Sequence, residues 1–198
     1  MDSRPRALLV VVVLALALVV SLFAFVDFHA MESNTVADAS VGTAQANEAT
    51  APVDQPLQLL VLGDGPVADR LSDHLVAELS PTFATINQTD EPIESWNGPV
   101  LVVGIVESDV RYNPLTPSAA VTAEFAFVGS GNVTLATQFA RGEMPPVLSN
   151  LNPYVVHGDV MLQDESRGIV SVPAYERHVT ERLATKLGDA LTSAPGMP

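Results

Sequence analysis

The longest apolar stretch of the chain is a run of twenty residues, 7–26, that is interrupted only by Ser21. As a helix this run would be about 30 Å long, which matches the hydrocarbon core of a bilayer. Two arginines precede it, and the next Lys or Arg is Arg70. We therefore predict a single-pass transmembrane signal-anchor over 7–26, bound to the lipid bilayer, with residues 1–6 cytoplasmic and everything after the anchor outside the cell membrane. A cleaved signal peptide is the alternative, although its apolar run is usually shorter.

Residues 27–56 have no helical or strand periodicity. They are rich in small and polar residues, carry several acidic groups, and close with Pro52 and Pro56. A segment of this composition buries too little apolar surface to offset the entropy lost on ordering. The pattern predicts a flexible, disordered acidic tether over 27–56, which places the folded domain at 57–198.

Within the folded domain, two stretches repeat apolar residues with helical spacing. The first runs from Pro66 to Leu79 and the second from Pro173 to about Leu191. Proline in the first turn suits a helix start, because the N–H that it lacks has no partner there. The apolar runs at 57–62 and 100–106 predict buried strands, and a shorter strand is expected near 82–87.

Alternation of apolar and polar residues predicts two β-hairpins. In the first, strands at 121–127 and 133–139 flank a Gly-Ser-Gly-Asn turn. In the second, strands at 154–162 and 168–172 flank a turn at 164–167. Together with the two helices, these hairpins predict an α+β domain, a two-layer sandwich of a mostly antiparallel sheet covered by two helices.

The charge is strongly acidic: 23 Asp and Glu against 9 Lys and Arg give a formal net charge of −14. This surface repels phosphate, so nucleic acid is excluded as a partner. Lysine is nearly absent, which together with abundant Asp and Glu resembles halophilic archaeal proteins and predicts adaptation to high salt. The absence of cysteine excludes disulfides and a lipid-modified N-terminal cysteine.

The segment 63–68 fits the G-x-G-x-x-A dinucleotide fingerprint, in which backbone N–H groups at a helix start bind a pyrophosphate. Pro66 removes one of those donors, and Asp64 places a negative charge beside the phosphates. A plain turn between a strand and a helix explains the same glycines. We therefore assign no cofactor-binding residue.

Three imidazole–carboxylate neighbours stand out as candidate metal or catalytic groups, but none has a recognisable ligand spacing. Ser130 lies in a predicted hairpin turn rather than at the strand-to-helix elbow of a hydrolase. Solvated surface groups are the simpler interpretation, so no catalytic or metal residue is assigned. The three neighbours are His74 with Glu78, His157 with Asp159, and Glu176 with His178.

Three further positions are candidates for contact or modification. Asn87 and Asn132 each begin an N-x-T tripeptide, the acceptor pattern for N-glycosylation. Trp96 lies in a polar loop next to glycine and proline, and is the aromatic residue that we expect to contact a partner.

Two functions fit these observations. The first is a non-enzymatic protein-interaction or envelope-assembly module that binds an envelope protein or its own copies. It follows from the predicted anchor, the acidic domain and the lack of a converging catalytic set. The alternative is an extracytoplasmic small-ligand-binding or hydrolytic domain that uses the Gly63–Pro66 corner and the 141–153 loop, and it predicts a deep polar pocket at these two places.

Overall fold

The computed structural model describes residues 4–44, 51–91, 96–141 and 154–197. These residues form one six-stranded sheet and four helices. In chain order the elements are α1 (Arg4–Phe25), β1 (His29–Ala44), β2 (Leu57–Leu62), α2 (Pro66–Leu79), β3 (Ile86–Thr89), β4 (Val100–Arg111), β5 (Ser118–Val128), α3 (Val133–Phe139), β6 (Val155–Val170) and α4 (Val172–Thr192).

The strands lie in the order β1-β6-β5-β4-β2-β3. Neighbours are antiparallel from β1 to β4 and parallel from β4 through β2 to β3. The sheet is therefore mixed, and the predicted two-layer sandwich with a mostly antiparallel sheet and two helices is wrong. Its parallel part arises because α2 carries the chain from the end of β2 back to the start of β3.

Helices cover both faces of the sheet where β2, β4 and β5 lie side by side. On one face, α2 and α4 pack against Leu57, Leu59 and Phe125; on the other, α3 packs against Val102 and Val128. Strands with both faces covered read as continuous apolar runs, which is why 57–62 and 100–106 could be recognised as strands.

The predicted membrane anchor over 7–26 is wrong, and so is the single-pass membrane localisation that was inferred from it. In the described part of the chain, no helix has the combination of length and apolar character that a membrane crossing requires.

The predicted flexible tether over 27–56 is also wrong, because most of it is the strand β1. All sixteen residues of β1 pair with β6 in an unbroken antiparallel register, from His29 opposite Val170 to Ala44 opposite Val155. Backbone pairing with an equally long partner stabilises this strand without a continuous apolar pattern. The composition of β1 therefore resembled that of a disordered segment.

Both predicted hairpins differ from the structure. Residues 133–139 form α3 rather than a returning strand, because Val133 and Ala136 lie one helical turn apart and both pack against the sheet. Residues 155–170 form the single strand β6, so the predicted turn at 164–167 lies within a strand. By contrast, α2 has the predicted bounds, and α4 extends the predicted helix by one residue at each end.

Gln58 is a polar residue in the otherwise apolar strand β2. Its side chain is fully buried, and neither its oxygen nor its nitrogen has a hydrogen-bond partner in the described ranges. A buried amide without partners costs about 1–3 kcal/mol.

Replacing this amide with an apolar group of similar shape should stabilise the fold. We expect Gln58→Met to raise the free energy of unfolding by about 1–2 kcal/mol in urea titrations. Gln163→Met, at an exposed position of β6, is the matched control and should change it by less than about 0.5 kcal/mol. A destabilised Gln58→Met variant would show that the amide has a partner.

Candidate functional site

Four side chains converge on the buried carboxylate of Asp164, which is 1% exposed. Its Oδ1 accepts a hydrogen bond from Thr35 Oγ1 at 2.5 Å and lies 3.2 Å from Nε2 of His178. Its Oδ2 accepts hydrogen bonds from the hydroxyls of Ser166 and Tyr175, each at 2.8 Å. We call these five residues the Asp164 cluster; it joins β1, β6 and α4.

Asp164 is ionised at neutral pH despite its burial. Burial alone would raise the pKa of this carboxyl, but hydrogen bonds from His178, Thr35, Ser166 and Tyr175 outweigh it and lower the pKa to about 2. Burial and the hydrogen bond to Asp164 raise the pKa of Tyr175, so its hydroxyl stays protonated and donates. The cluster is a compensated buried charge.

The geometry of the cluster differs from that of a catalytic triad. In a triad the hydroxyl and the carboxylate bind opposite nitrogens of the imidazole ring. Here the hydroxyl of Thr35 and the carboxylate of Asp164 both lie near Nε2 of His178, at 3.3 and 3.2 Å. The hydroxyl of Thr35 also donates directly to the carboxylate. The arrangement holds three elements together rather than preparing a nucleophile.

This cluster was not predicted from the sequence, because Asp164 was placed in a turn. A signal was present: Val160 and Leu162 precede Asp164 and Ser166 at every second position. In a strand those four residues share one face, and all four are buried. Reading the alternation through the supposed turn would have placed a carboxylate in the core.

In two of the three imidazole–carboxylate pairs singled out in the sequence, the carboxylate binds a residue other than the histidine. On α2, Glu78 accepts a hydrogen bond from Thr185 of α4 at 3.3 Å. Glu176 forms an ion pair with Arg70 at 3.0 Å, while His178 belongs to the Asp164 cluster. Within the described ranges, no three His, Cys, Asp or Glu side chains converge as a metal site would require.

The Gly63–Pro66 corner leads into α2 through two glycines with positive φ, Gly63 at 145° and Gly65 at 95°. A cleft of about 300 Å³ lies beside it, lined in part by Tyr112, Tyr175 and Glu176. The polar atoms of these three residues bind inside the protein: Tyr112 donates to the Val170 carbonyl at 2.7 Å. The alternative function also predicted a site at the 141–153 loop. Residues 142–153 of that loop lie outside the described part of the chain.

The loop around Trp96 borders a cavity of about 710 Å³ that is also lined by Asn132 and Arg141. Trp96 is half-buried, and its Nε1 donates to the Pro99 carbonyl at 3.0 Å. Asn132 is the N-cap of α3, where its Oδ1 accepts from the Leu135 N–H at 2.9 Å. A glycan on Asn132 would have to coexist with this cap.

The other predicted acceptor, Asn87, lies exposed on β3, the short strand at one end of the sheet. Its tripeptide is therefore in an accessible position.

The opposite end of the sheet is β1, and its outer edge is unpaired among the described residues. We call this the free β1 edge. In an antiparallel strand, alternate residues direct their N–H and C=O groups to each side, so about half of the backbone groups of β1 face outward. Val36 and Val41 on this strand are 55% and 40% exposed.

The ionised carboxylate of Asp164 gives a testable pH dependence. Because its pKa is lower in the folded than in the unfolded chain, it stabilises the fold above about pH 4, and this contribution is lost as the pH falls towards 2. Asp164→Asn should lower the free energy of unfolding at pH 7 by about 3 kcal/mol and remove about 2 kcal/mol of its acid dependence. Thermal unfolding of both proteins between pH 7 and pH 2 measures this difference, and parallel curves would contradict it.

No protein-family model matches the chain, and no curated protein matches it. Among solved structures, it is similar to two dodecamers of PelC from Paraburkholderia phytofirmans, one of which is a leucine-to-methionine variant. Each is 10% identical and covers 76% of this chain and 98% of its own, with TM-scores of 0.36 for the variant and 0.37 for the other. A likeness of this size carries no argument about function.

Proposed function

We propose that this chain is a non-enzymatic interaction and assembly module that binds an extended polypeptide segment along the free β1 edge. One observation carries the proposal: β1 is sixteen residues long and pairs on one side only in the described part of the chain. An added strand would complete the backbone hydrogen bonds of the outer side, the binding mode known as β-strand addition.

The sequence of β1 supports this use, since it lacks three of the devices that usually protect an edge: short length, lysine and proline. Natural edge strands are short, or carry lysine or proline, because an open edge otherwise pairs with other chains. β1 is almost three times the length of a typical strand of about 5–6 residues, and residues 29–44 contain no Lys, Arg or Pro. A long unprotected edge is a liability unless it has a partner.

The free β1 edge is also held in place before any partner arrives. Thr35 ties the middle of β1 to Asp164. Just before the strand, the Phe28 N–H donates to Ser171 Oγ at 3.1 Å, and the Ser171 N–H donates to the Phe28 carbonyl at 3.0 Å. A preorganised edge loses less conformational entropy on binding, which favours affinity.

The described polar groups favour binding over catalysis. The side chains of the Asp164 cluster bind one another, and three polar side chains of the corner cleft, Tyr112, Tyr175 and Glu176, bind Val170, Asp164 and Arg70. A catalytic constellation needs groups aimed at a substrate, whereas these are aimed at their own fold. This supports an interaction module over the alternative of a hydrolytic domain at the Gly63–Pro66 corner.

The acidic charge supports a working environment of high salt. A net charge of −14 destabilises the compact state by self-repulsion, which salt screens. We expect the free energy of unfolding to rise by about 1–2 kcal/mol between about 0.1 and 1 M KCl, where the Debye length falls from about 10 to 3 Å. Urea titrations in KCl measure this change, and a stability independent of KCl would contradict the adaptation.

A labelled peptide tests strand addition. The probe is a twelve-residue alternation of valine and threonine with lysine at both ends, and its binding is read by fluorescence anisotropy. We expect Val36→Lys with Val41→Lys to weaken binding about tenfold, because charged side chains on the edge oppose pairing with the lysine-ended strand.

The matched control carries Val106→Lys with Met161→Lys, at positions 59% and 52% exposed but not on β1. This variant should bind the probe as the original chain does. Equal loss in both double variants would indicate simple charge repulsion, and absence of binding to the original chain would refute the proposed function.

A further inference from the structure

We infer that the partner of the free β1 edge is the β1 strand of a second copy of this chain. The two strands pair antiparallel about a two-fold axis at Val36. The inference rests on the proposed function and adds the partner and the register. It follows from how the side chains of residues 29–43 would meet across such a pair.

Symmetry limits the possible pairings to a few. A two-fold axis perpendicular to the sheet keeps every residue on its own face in both copies. A residue that lies n positions before the central residue in one copy is then opposite the residue n positions after it in the second copy. Because directly opposed side chains interact most strongly, the identity of the central residue decides every contact.

With Val36 at the centre, the apolar side chains of β1 meet one another. Val36 faces Val36 of the second copy, and Met31 faces Val41. Both valines are substantially exposed in the single chain, at 55% and 40%. Pairing would remove apolar surface from water, which is favourable.

The same register places both carboxylates of β1 opposite neutral hydrogen-bonding groups. Asp38 faces Asn34, and Glu32 faces Ser40. The amide and the hydroxyl can each donate to a carboxylate. No two like charges face each other along the overlap of residues 29–43.

Neighbouring registers lack this complementarity. A centre at Thr35 sets Glu32 against Asp38, and a centre at Asp38 sets that carboxylate against itself. A centre at Ala37 sets Val36 against Asp38. Opposed like charges destabilise a strand pair, so Val36 is the centre that the side chains favour.

The resulting dimer would have one continuous sheet through two copies of the six-stranded sheet. The same open face would continue from one copy to the next, because the axis preserves each face. Since both copies are acidic, screening by salt should favour the dimer.

Single cysteines test the register directly, because the chain contains none of its own. Opposed residues of an antiparallel pair have Cβ atoms about 4.5–5.5 Å apart, close enough for a disulfide to form with small adjustment. In the purified full chain in about 1 M KCl, Val36→Cys should form a disulfide-linked dimer under mild oxidation. The control Val106→Cys is equally exposed, at 59% against 55%, and should crosslink at least about tenfold more slowly.

Two further variants fix the register. Asn34→Cys and Asp38→Cys should each stay largely monomeric alone, because their own copies lie about 13 Å apart along the strand. Mixed together, they should crosslink to each other. A strong homodimer of either variant would overturn the Val36 centre.

The outcomes separate this inference from the function on which it rests. If Val36→Cys stays monomeric or crosslinks no faster than Val106→Cys while the labelled peptide still binds, the partner is not a second copy and the strand-accepting edge stands. If the peptide also fails to bind, both the edge and its self-pairing are refuted.

Discussion

The buried negative charge of Asp164 is the constraint on which the arrangement of the outer sheet depends. A carboxylate removed from water is tolerated only when its oxygens are fully hydrogen-bonded. Its four partners come from a strand on one side, from its own strand, and from a helix above. Shifting β1 by one residue would turn the Thr35 side chain to the other face and leave the charge short of a partner. The cluster therefore fixes the register of β1 against β6 more firmly than apolar packing could, because β1 contributes few buried apolar groups.

The helices α2 and α4 could be predicted from the sequence, and most of the outer sheet could not. In α2 and α4, apolar side chains recur with helical spacing because one face of each helix packs against the core. β1 has one half-covered face and one exposed face. It is held by backbone pairing, which does not require a regular pattern of apolar side chains. α3 was mistaken for a strand because seven residues are too few to distinguish the two periodicities.

The candidate sites likewise divide into features that could be predicted from the sequence and features that could not. Asn87, Asn132 and Trp96 could be identified as sites from short motifs, but their partners in space could not, and Asn132 proves to cap a helix. The Asp164 cluster unites residues 35 and 164–178, and no local pattern links them. A free strand edge is a property of the assembled sheet, so it becomes visible only when the strand order is known.

The pairing of β1 with β6 also determines when the sheet can be completed during synthesis. Thr35 and Asp164 are 129 positions apart, so the first strand cannot pair with β6 until the chain up to about residue 170 has left the ribosome. Contacts of such separation form slowly, and unpaired strands invite association with other chains. The polar, acidic composition of β1, with Glu32 and Asp38 among its sixteen residues, keeps this waiting segment in solution. The composition that hides the strand from sequence analysis is thus also what protects the nascent chain.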